Sequence, residues 1–354
     1  MIYVNARFLT QPITGVQRFA IEISLQLKEL LKEEVVFVAP KNVLDNEYTK
    51  ILNPKIIGYH SGHLWEQVDL LLFMKKQKFP LLCLCGTSPI FVKNKIVVIH
   101  DITFIRYPKT FALSFRLFYK FLIPITLKTS QLICSVSDFS ASEISSYYHY
   151  PKEKICILPN AIGDFFKPLT NPLFENEKYI LAVSSVKQNK NFPFILKIFE
   201  RISEKIERVN LYIVGDLNTK CFNTIDINEV KDNPKIRILG RVNDEELIRL
   251  YSNAVVFLFP SLYEGFGIPV LEAQACGCPV IASNTSSLPE VLGKSAILLP
   301  PNEAALWQAA IVEMCKNEEK RKEMIRLGFK NNQRFSWKKS AEKIIALLQK
   351  EISI

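Results

Sequence analysis

The most informative stretch of this sequence is Tyr263-Glu264-Gly265-Phe266-Gly267-Ile268-Pro269-Val270-Leu271-Glu272. The apolar run 254–259 before it predicts a buried strand, and residues 268–276 predict a helix with Pro269 in its first turn. A strand, a glycine turn and a helix start together bind anions, because free N–H groups and the positive end of the helix dipole face one space. We expect Phe266, Gly267 and Ile268 to offer these N–H groups to a ligand.

The same stretch carries two carboxylates, Glu264 before the turn and Glu272 on the helix, with seven residues between them. A tight turn would let both reach one ligand. The alternative is a chance pair near a helix start, where acidic side chains are favoured in any case. The spacing resembles the two-glutamate motif of retaining glycosyltransferases of family 4. That resemblance implies that Glu264 contacts the donor sugar and Glu272 the ribose hydroxyls of a nucleotide-sugar.

Strand-like apolar runs alternate with helix-period stretches over most of the 354 residues, which predicts an α/β protein with parallel sheets. The family resemblance implies the GT-B fold, in which two doubly wound Rossmann-like domains face each other across a cleft. We predict an acceptor-binding domain at 1–165, a nucleotide-sugar-binding domain at 166–335, and a helix at 336–354 that braces the first domain. Ligands of such sheets bind beyond the carboxyl ends of the strands.

Three positions in the first domain also match the family. Gly15 lies in a loop directly before a helix, and His100 and Asp101 end the apolar strand 96–99. The resemblance implies that Gly15 lies where donor phosphate and acceptor meet, that His100 hydrogen-bonds a hydroxyl of the donor sugar, and that Asp101 orients the loop. A plain turn glycine and a structural histidine are the alternatives.

A cationic segment follows the first strand of the second domain. Lys190 and Asn191 match the family's diphosphate-binding sequence, whereas Asn189 stands where the family usually has arginine. A cation about 4 Å from a phosphate contributes ~4 kcal/mol at an effective dielectric constant of 20, so one missing cation matters. We predict Lys190 as a diphosphate ligand and leave open whether Lys187 replaces the missing arginine. The predicted catalytic residues are His100, Lys190 and Glu264.

Composition narrows the class of protein. With 48% hydrophobic and 23% charged residues the chain is globular, and no apolar run reaches the roughly 20 residues of a membrane span. No signal peptide is visible at the start, so we expect a cytoplasmic protein. The eight cysteines fit buried free thiols. Four histidines and no Asp-x-Asp sequence indicate neither a metal site nor a metal-bound diphosphate.

The resemblance is strongest to the mannosyltransferase-like subgroup that builds bacterial surface polysaccharides. It implies a retaining, metal-independent hexosyltransferase of O-antigen or capsule synthesis, with a glycan or lipid-linked saccharide as acceptor and no separate cofactor. GDP-mannose is the favoured donor, and UDP- or dTDP-sugars remain open. A sugar-nucleotide epimerase of GT-B fold and a catalytically weak assembly partner are the alternatives.

The net charge of +10 is concentrated between residues 71 and 128, a segment that contains ten basic residues and one acidic residue. Phe111, Phe115, Leu117, Phe118, Phe121 and Leu122 are interleaved with Arg116 and Lys120, which predicts a basic amphipathic surface. Peripheral contact with an anionic membrane, on the inner face of the plasma membrane, is one interpretation, and ordinary solvated lysines are the other. Nucleic acid is not an expected partner, because no recognition motif accompanies the charge.

Overall fold

The computed structural model describes residues 1–169, 178–183, 188–206, 209–215, 230 and 232–352. Two compact units emerge. The first comprises Met1–Ile102, Ala112–Asn160 and Ser336–Ile354, and the second comprises Thr103–Phe111 and Ala161–Phe335. The short segment Thr103–Phe111 therefore groups with the second unit, although it lies in the first half of the sequence. The predicted Lys187 falls outside the described residues.

The first unit is built on a seven-stranded parallel sheet in the order β3-β2-β1-β4-β5-β6-β7. The strands are β1 Ile2–Asn5, β2 Val35–Ala39, β3 Lys55–Ile56, β4 Leu81–Cys83, β5 Lys95–Val98, β6 Leu132–Ser135 and β7 Ile155–Ile157. The helices between residues 1 and 160 are α1 Gly15–Leu31, α2 Glu47–Leu52, α3 Gly62–Gln67, α4 Asp69–Met74, α5 Thr103–Arg106, α6 Leu113–Thr129 and α7 Asp138–Tyr148. Of these, α5 lies in the segment that groups with the second unit.

The central strands of this sheet are buried along their whole length, as expected where helices cover both faces of a parallel sheet. Lys95 at the start of β5 is buried as well, and its ammonium donates to Pro89 O at 2.7 Å and to Thr129 Oγ1 at 3.0 Å. Burial lowers the pKa of Lys95 to about 8. Lys95, one of the basic residues between 71 and 128, is therefore buried inside the unit and links β5 to the end of α6 by hydrogen bonds.

The second unit is built on a six-stranded parallel sheet in the order β10-β9-β8-β11-β12-β13. Its strands are β8 Lys178–Val183, β9 Val209–Val214, β10 Ile236–Gly240, β11 Val256–Phe259, β12 Val280–Ser283 and β13 Ile297–Leu299. Its helices are α8 Phe192–Ser203, α9 Asp244–Asn253, α10 Ile268–Ala275, α11 Leu288–Leu292, α12 Ala304–Lys316 and α13 Glu318–Asn332.

Apolar residues of α8 recur at three- and four-residue intervals, and Ile195, Ile198, Phe199 and Ile202 are buried against this sheet together with Trp307 of α12. The sheet has a switch point: the chain adds β9 and β10 on one side of β8, and then returns to add β11, β12 and β13 on the other side. In open α/β sheets, ligands bind at the carboxyl ends of the two strands that flank such a point. Here those strands are β8 and β11.

The last helix, α14 Trp337–Ile352, belongs to the first unit. Trp337 packs its ring at 5.7 Å from that of Phe19 in α1, and Ser340 Oγ donates to Pro159 O at 2.9 Å. The Ser336 side chain accepts from Lys339 N at 3.3 Å and so caps the helix start. The end of the described chain is thus attached to the unit that contains its beginning.

Candidate active site

The glycine turn lies between β11 and α10, at the predicted place. Gly267 precedes the helix with φ of +95°, a left-handed conformation that side chains disfavour. A Cβ at this position would also lie 2.9 Å from Leu288 Cδ2. The backbone angle therefore favours glycine here, and the nearby Leu288 side chain would have to shift for any larger residue.

A serine-rich loop between β12 and α11 holds the turn in place. Glu264 N donates to Ser286 Oγ at 3.1 Å, and the buried Ser287 hydroxyl lies 3.0 Å from both Glu264 O and Phe266 O. Ser286 itself adopts φ of +55°. The loop thus fixes the backbone on both sides of Gly265. The two serines of this loop, Ser286 and Ser287, were not predicted from the sequence as site residues. Their sequence offers no signal beyond a polar loop after a strand.

Lys190 and Glu264 form an ion pair at the carboxyl ends of β8 and β11. Lys190 ends a short 3-10 turn, Gln188–Lys190, and its Nζ lies 2.5 Å from Glu264 Oε1 and 5.3 Å from the centroid of the Phe259 ring. The two side chains are only 19% and 11% exposed. The structure therefore brings together two residues that the sequence places 74 positions apart.

Asn189 has a structural position. It is 4% exposed, its Nδ2 donates to Tyr263 O at 3.0 Å, and its carbonyl accepts from Leu262 N at 2.7 Å. These two bonds attach the turn that carries Lys190 to the loop that carries Glu264. Asn189 thus serves to position the ion pair, a role that differs from the cation expected at this point in the family.

Glu272 lies in the second turn of α10, half-buried, and Tyr251 of α9 donates its hydroxyl to Glu272 Oε2 at 3.5 Å. Burial raises the pKa of Tyr251 well above its usual value, and the Glu272 charge adds to the effect, so the phenol keeps its proton. The tyrosine therefore acts as a donor that restrains Glu272. Nothing in the sequence pattern distinguishes Tyr251 from an ordinary buried residue of α9.

The N–H groups of Phe266, Gly267 and Ile268 lie at the carboxyl end of β11, since they belong to the turn and to the first residue of α10. In the described part of the chain, no hydrogen bond between backbone groups uses these three N–H groups as donors. They are the donors that a helix start leaves for an external anion or for water.

The candidate residues of the first unit are considered separately. Gly15 is the first residue of α1 and is exposed. His100 follows β5; its Nε2 lies 2.8 Å from Leu84 O, and its ring stacks edge-on against Phe19 at 4.9 Å. Because a carbonyl only accepts, Nε2 carries the proton and Nδ1 is left as an acceptor. Burial lowers the pKa of His100, against the opposing effects of the Leu84 carbonyl and Asp101, so the neutral ring is favoured.

The predicted amphipathic surface forms only in part. Leu113, Leu117 and Phe121 lie one helical turn apart along α6 and are 63%, 59% and 65% exposed. Of the other apolar residues predicted for this surface, Leu122 is buried, whereas Phe111, Phe115 and Phe118 are half-buried. Among the helices that the structure describes, none combines the length and hydropathy that a bilayer-spanning segment needs.

Comparison with known proteins identifies the second unit. Residues 167–331 match the family described as glycosyl transferases group 1. Over 257 residues the chain is 29% identical to O-antigen chain mannosyltransferase B of Escherichia coli, covering 70% of this chain and 68% of that protein. It is 27% identical over 333 residues to O-antigen chain mannosyltransferase RfbU of Salmonella typhimurium, covering 87% and 89% respectively.

Solved structures extend the likeness to the fold. A sucrose-phosphate synthase from Thermosynechococcus elongatus aligns with a TM-score of 0.74 at 16% identity, over 99% of this chain and 98% of that one. Anabaena HepE, solved with UDP and glucose, aligns with a TM-score of 0.74 at 15% identity, over 99% of both chains. The predicted GT-B fold with two Rossmann-like domains is confirmed. Residues 167–331 are therefore a glycosyl transferases group 1 domain, in a chain that is similar over most of its length to O-antigen mannosyltransferases.

Proposed function

We propose that the protein transfers a hexose, mannose in the first instance, from a nucleotide-sugar to a glycan or lipid-linked acceptor during synthesis of a bacterial surface polysaccharide. Two relatives named as O-antigen mannosyltransferases support the sugar and the pathway. HepE, whose structure holds UDP and glucose, supports a nucleotide-sugar donor. GDP-mannose is the donor to test first.

The contact between Lys190 and Glu264 is the observation that carries the proposal. In a nucleotide-sugar the anomeric carbon is bonded directly to a diphosphate oxygen. A cation for the diphosphate and a carboxylate for the sugar hydroxyls must therefore be neighbours, as these two groups are at 2.5 Å. Donor binding then replaces one ion pair by two contacts: Lys190 binds the diphosphate and Glu264 accepts from a hydroxyl.

The same residues favour transfer with retention and without a metal. The leaving diphosphate is stabilised by Lys190 and by the N–H groups of Gly267 and Ile268, which are fixed before the reaction and need little reorganisation. The acceptor oxygen attacks the anomeric carbon on the face from which the diphosphate leaves, and its proton passes to the departing phosphate oxygen. Glu272, restrained by Tyr251, holds the ribose so that the anomeric carbon is correctly placed.

Thermal unfolding with GDP-mannose, GDP, UDP-glucose and a dTDP-sugar tests the donor. A ligand at 100 times its dissociation constant stabilises the folded protein by ~2.7 kcal/mol, so a true donor raises the midpoint visibly. Lys190→Met should abolish the shift, whereas Lys197→Met, at an exposed position of α8, should retain it. If no nucleotide-sugar shifts the wild type, the proposal is wrong. Incubation with donor alone must leave the sugar unepimerised.

We also propose an anionic lipid bilayer as the partner of the exposed α6 stripe, Leu113, Leu117 and Phe121. The exposed Lys120 lies on the same helix, and the surrounding segment 71–128 carries nine more basic residues than acidic ones by sequence count. Each basic residue near such a surface contributes about 1 kcal/mol, which suits reversible docking to a membrane that holds a lipid-linked acceptor.

Vesicle flotation tests the lipid proposal. Wild-type protein should float with phosphatidylglycerol vesicles at low ionic strength and not with phosphatidylcholine vesicles. The double variant Leu117→Ser, Phe121→Ser should stay at the bottom, whereas Leu306→Ser, which changes an exposed leucine of α12, should float like the wild type. Equal flotation of all three proteins would show that the stripe does not dock.

A further inference from the structure

A buried charged cluster lies at the switch point of the first sheet. The chain adds β2 and β3 on one side of β1, then returns to place β4 to β7 on the other side, so β1 and β4 flank the switch point. Arg7 follows β1, Thr87 follows β4, and Glu66 of α3 lies between them. Ligands of open α/β sheets bind at this position, yet these residues have no part in the donor site.

Glu66 is the centre of the cluster. It is fully buried and accepts from Asn5 Nδ2 at 2.6 Å and from Thr87 Oγ1 at 3.1 Å, and its Oε1 lies 3.8 Å from Arg7 Nε. Arg7 Nη2 in turn donates to Thr87 Oγ1 at 3.1 Å. Burial raises the pKa of Glu66, but the Arg7 charge and the hydrogen bonds from His63 and Thr87 together lower it by more. The net shift of the pKa is downward, so the carboxylate is ionised.

His63 connects this buried charge to the surface. Its Nδ1 lies 3.4 Å from Glu66 Oε2, its ring lies 4.5 Å from that of Phe118 and 6.0 Å from that of Tyr119, and its side chain is 33% exposed. A carboxylate only accepts, so Nδ1 donates to Glu66, and in the singly protonated ring Nε2 is left as an acceptor. Within the described residues, Nε2 has no hydrogen-bond partner.

The cluster is continuous with the predicted sugar-contacting His100. The loop that follows β4 accepts the His100 Nε2 bond at Leu84 O, is tied to β5 by Gly86 N and Val98 O at 2.9 Å, and ends at Thr87 in the cluster. His100 thus bonds directly to this short loop, whereas His63 is linked to it through Glu66.

We propose that His63, with the half-buried rings of Phe118 and Tyr119 beside it, binds the acceptor saccharide. The Nε2 atom accepts from a hydroxyl of the acceptor, while the apolar ring surfaces pack against the C–H face of a pyranose. Glu66 and Arg7 act behind it as positioning residues, because they fix the orientation of the imidazole. This inference rests on the proposed transferase function and adds the acceptor site that the donor residues do not supply.

The test separates acceptor binding from donor binding, with octyl α-D-mannopyranoside as acceptor and GDP-mannose as donor. His63→Ala should raise KM for the mannoside at least tenfold and leave KM for GDP-mannose within twofold. His60→Ala is the matched control, since His60 also pairs its Nδ1 with a largely buried carboxylate, that of Asp69 at 3.0 Å, while its own side chain is 43% exposed. It should behave as wild type in both constants.

Two variants with amide side chains distinguish binding from a structural role. His63→Asn keeps a donor to Glu66 and loses the group at Nε2, so it should behave like His63→Ala. His63→Gln places an amide at the Nε2 position and should recover part of the acceptor affinity. Equal mannoside KM values for all variants, or recovery by Asn and not by Gln, would overturn the proposal.

Saturation-transfer NMR with the same mannoside gives a readout that does not need turnover. The wild type should transfer saturation to the sugar ring protons, and His63→Ala should not. A wild type that gives neither transfer product nor saturation transfer refutes the saccharide assignment of His63. A wild type that also fails to bind GDP-mannose or any other nucleotide-sugar refutes the proposed function itself, so the two failures are distinguishable.

Discussion

A double-mutant cycle of Lys190→Met and Glu264→Gln measures the contribution of the Lys190–Glu264 pair to protein stability separately from its contribution to transfer activity. At 2.5 Å and an effective dielectric constant of 20, the two charges attract by ~6.6 kcal/mol. Removing both from water costs several kcal/mol per ion, so the pair contributes little net stability. Either single change leaves one largely buried charge alone and should cost about 3 kcal/mol, whereas the double variant should cost less than either single variant.

The transfer activities of these three variants should not follow the order of their stabilities. If Lys190 binds the diphosphate and Glu264 the sugar, each single variant and the double variant lose transfer by at least tenfold, or at least ~1.4 kcal/mol of transition-state stabilisation. The double variant should therefore be nearly as stable as wild type and still inactive. A structural pair would give the opposite result, with activity returning together with stability.

Hydrogen exchange of peptides covering residues 256–275 measures the stability of the second unit directly, since these peptides include β11, the turn and α10. Transfer from GDP-mannose is measured on the same preparations. Lys197→Met is the control for loss of a lysine in this unit. Recovery of transfer in the double variant to near the wild-type rate would refute the assignment of both residues to the donor.

Three further predictions concern the surroundings of the sites. Ser287→Ala leaves buried carbonyls of the glycine turn without a donor, and should lower the melting temperature by the equivalent of 1–3 kcal/mol and weaken nucleotide binding by calorimetry. Gly267→Ala adds left-handed strain of about 1–2 kcal/mol and a contact with Leu288, so its soluble yield and hydrogen-exchange protection should fall. Burial lowers the pKa of Lys95 from 10.5 to about 8, so between these values the unfolded chain holds a proton that the folded chain lacks. Wild-type stability relative to Lys95→Met should therefore rise with pH from 8 to 10.5, by about 3 kcal/mol at most; a pH-independent difference in urea unfolding would contradict this.

The fold could be predicted because the strands at the centre of these sheets are short, largely apolar and buried along their whole length. Runs such as 96–99 and 254–259 are shorter than an ordinary helix, which favours buried strands, and the glycine turn marks where a strand gives way to a helix. Helix α10 begins at Ile268, as its proline and glycine indicate, because both residues act through local backbone geometry.

Contacts between distant segments could not be predicted in the same way. The bond from Tyr251 to Glu272 and the bracing of the turn by Ser286 and Ser287 depend on which elements pack side by side, and no local pattern encodes that. The Asn189 amide shows the limit most clearly. Its sequence context indicates a lost cation, whereas its burial makes it a link between two loops, and only the packing of β8 beside β11 reveals this.

The two switch points show how one fold can provide two kinds of site. At each, an acid and a base come from segments far apart in sequence, Lys190 with Glu264 in the second unit and Arg7 with Glu66 in the first. Glu66 is fully buried, and fixed donors surround it, so exchanging its partners for a ligand would cost several kcal/mol. Lys190 and Glu264 retain some exposure and can exchange partners at lower cost. The second pair is therefore suited to direct contact with a ligand, whereas the first is suited to holding His63 in place for one.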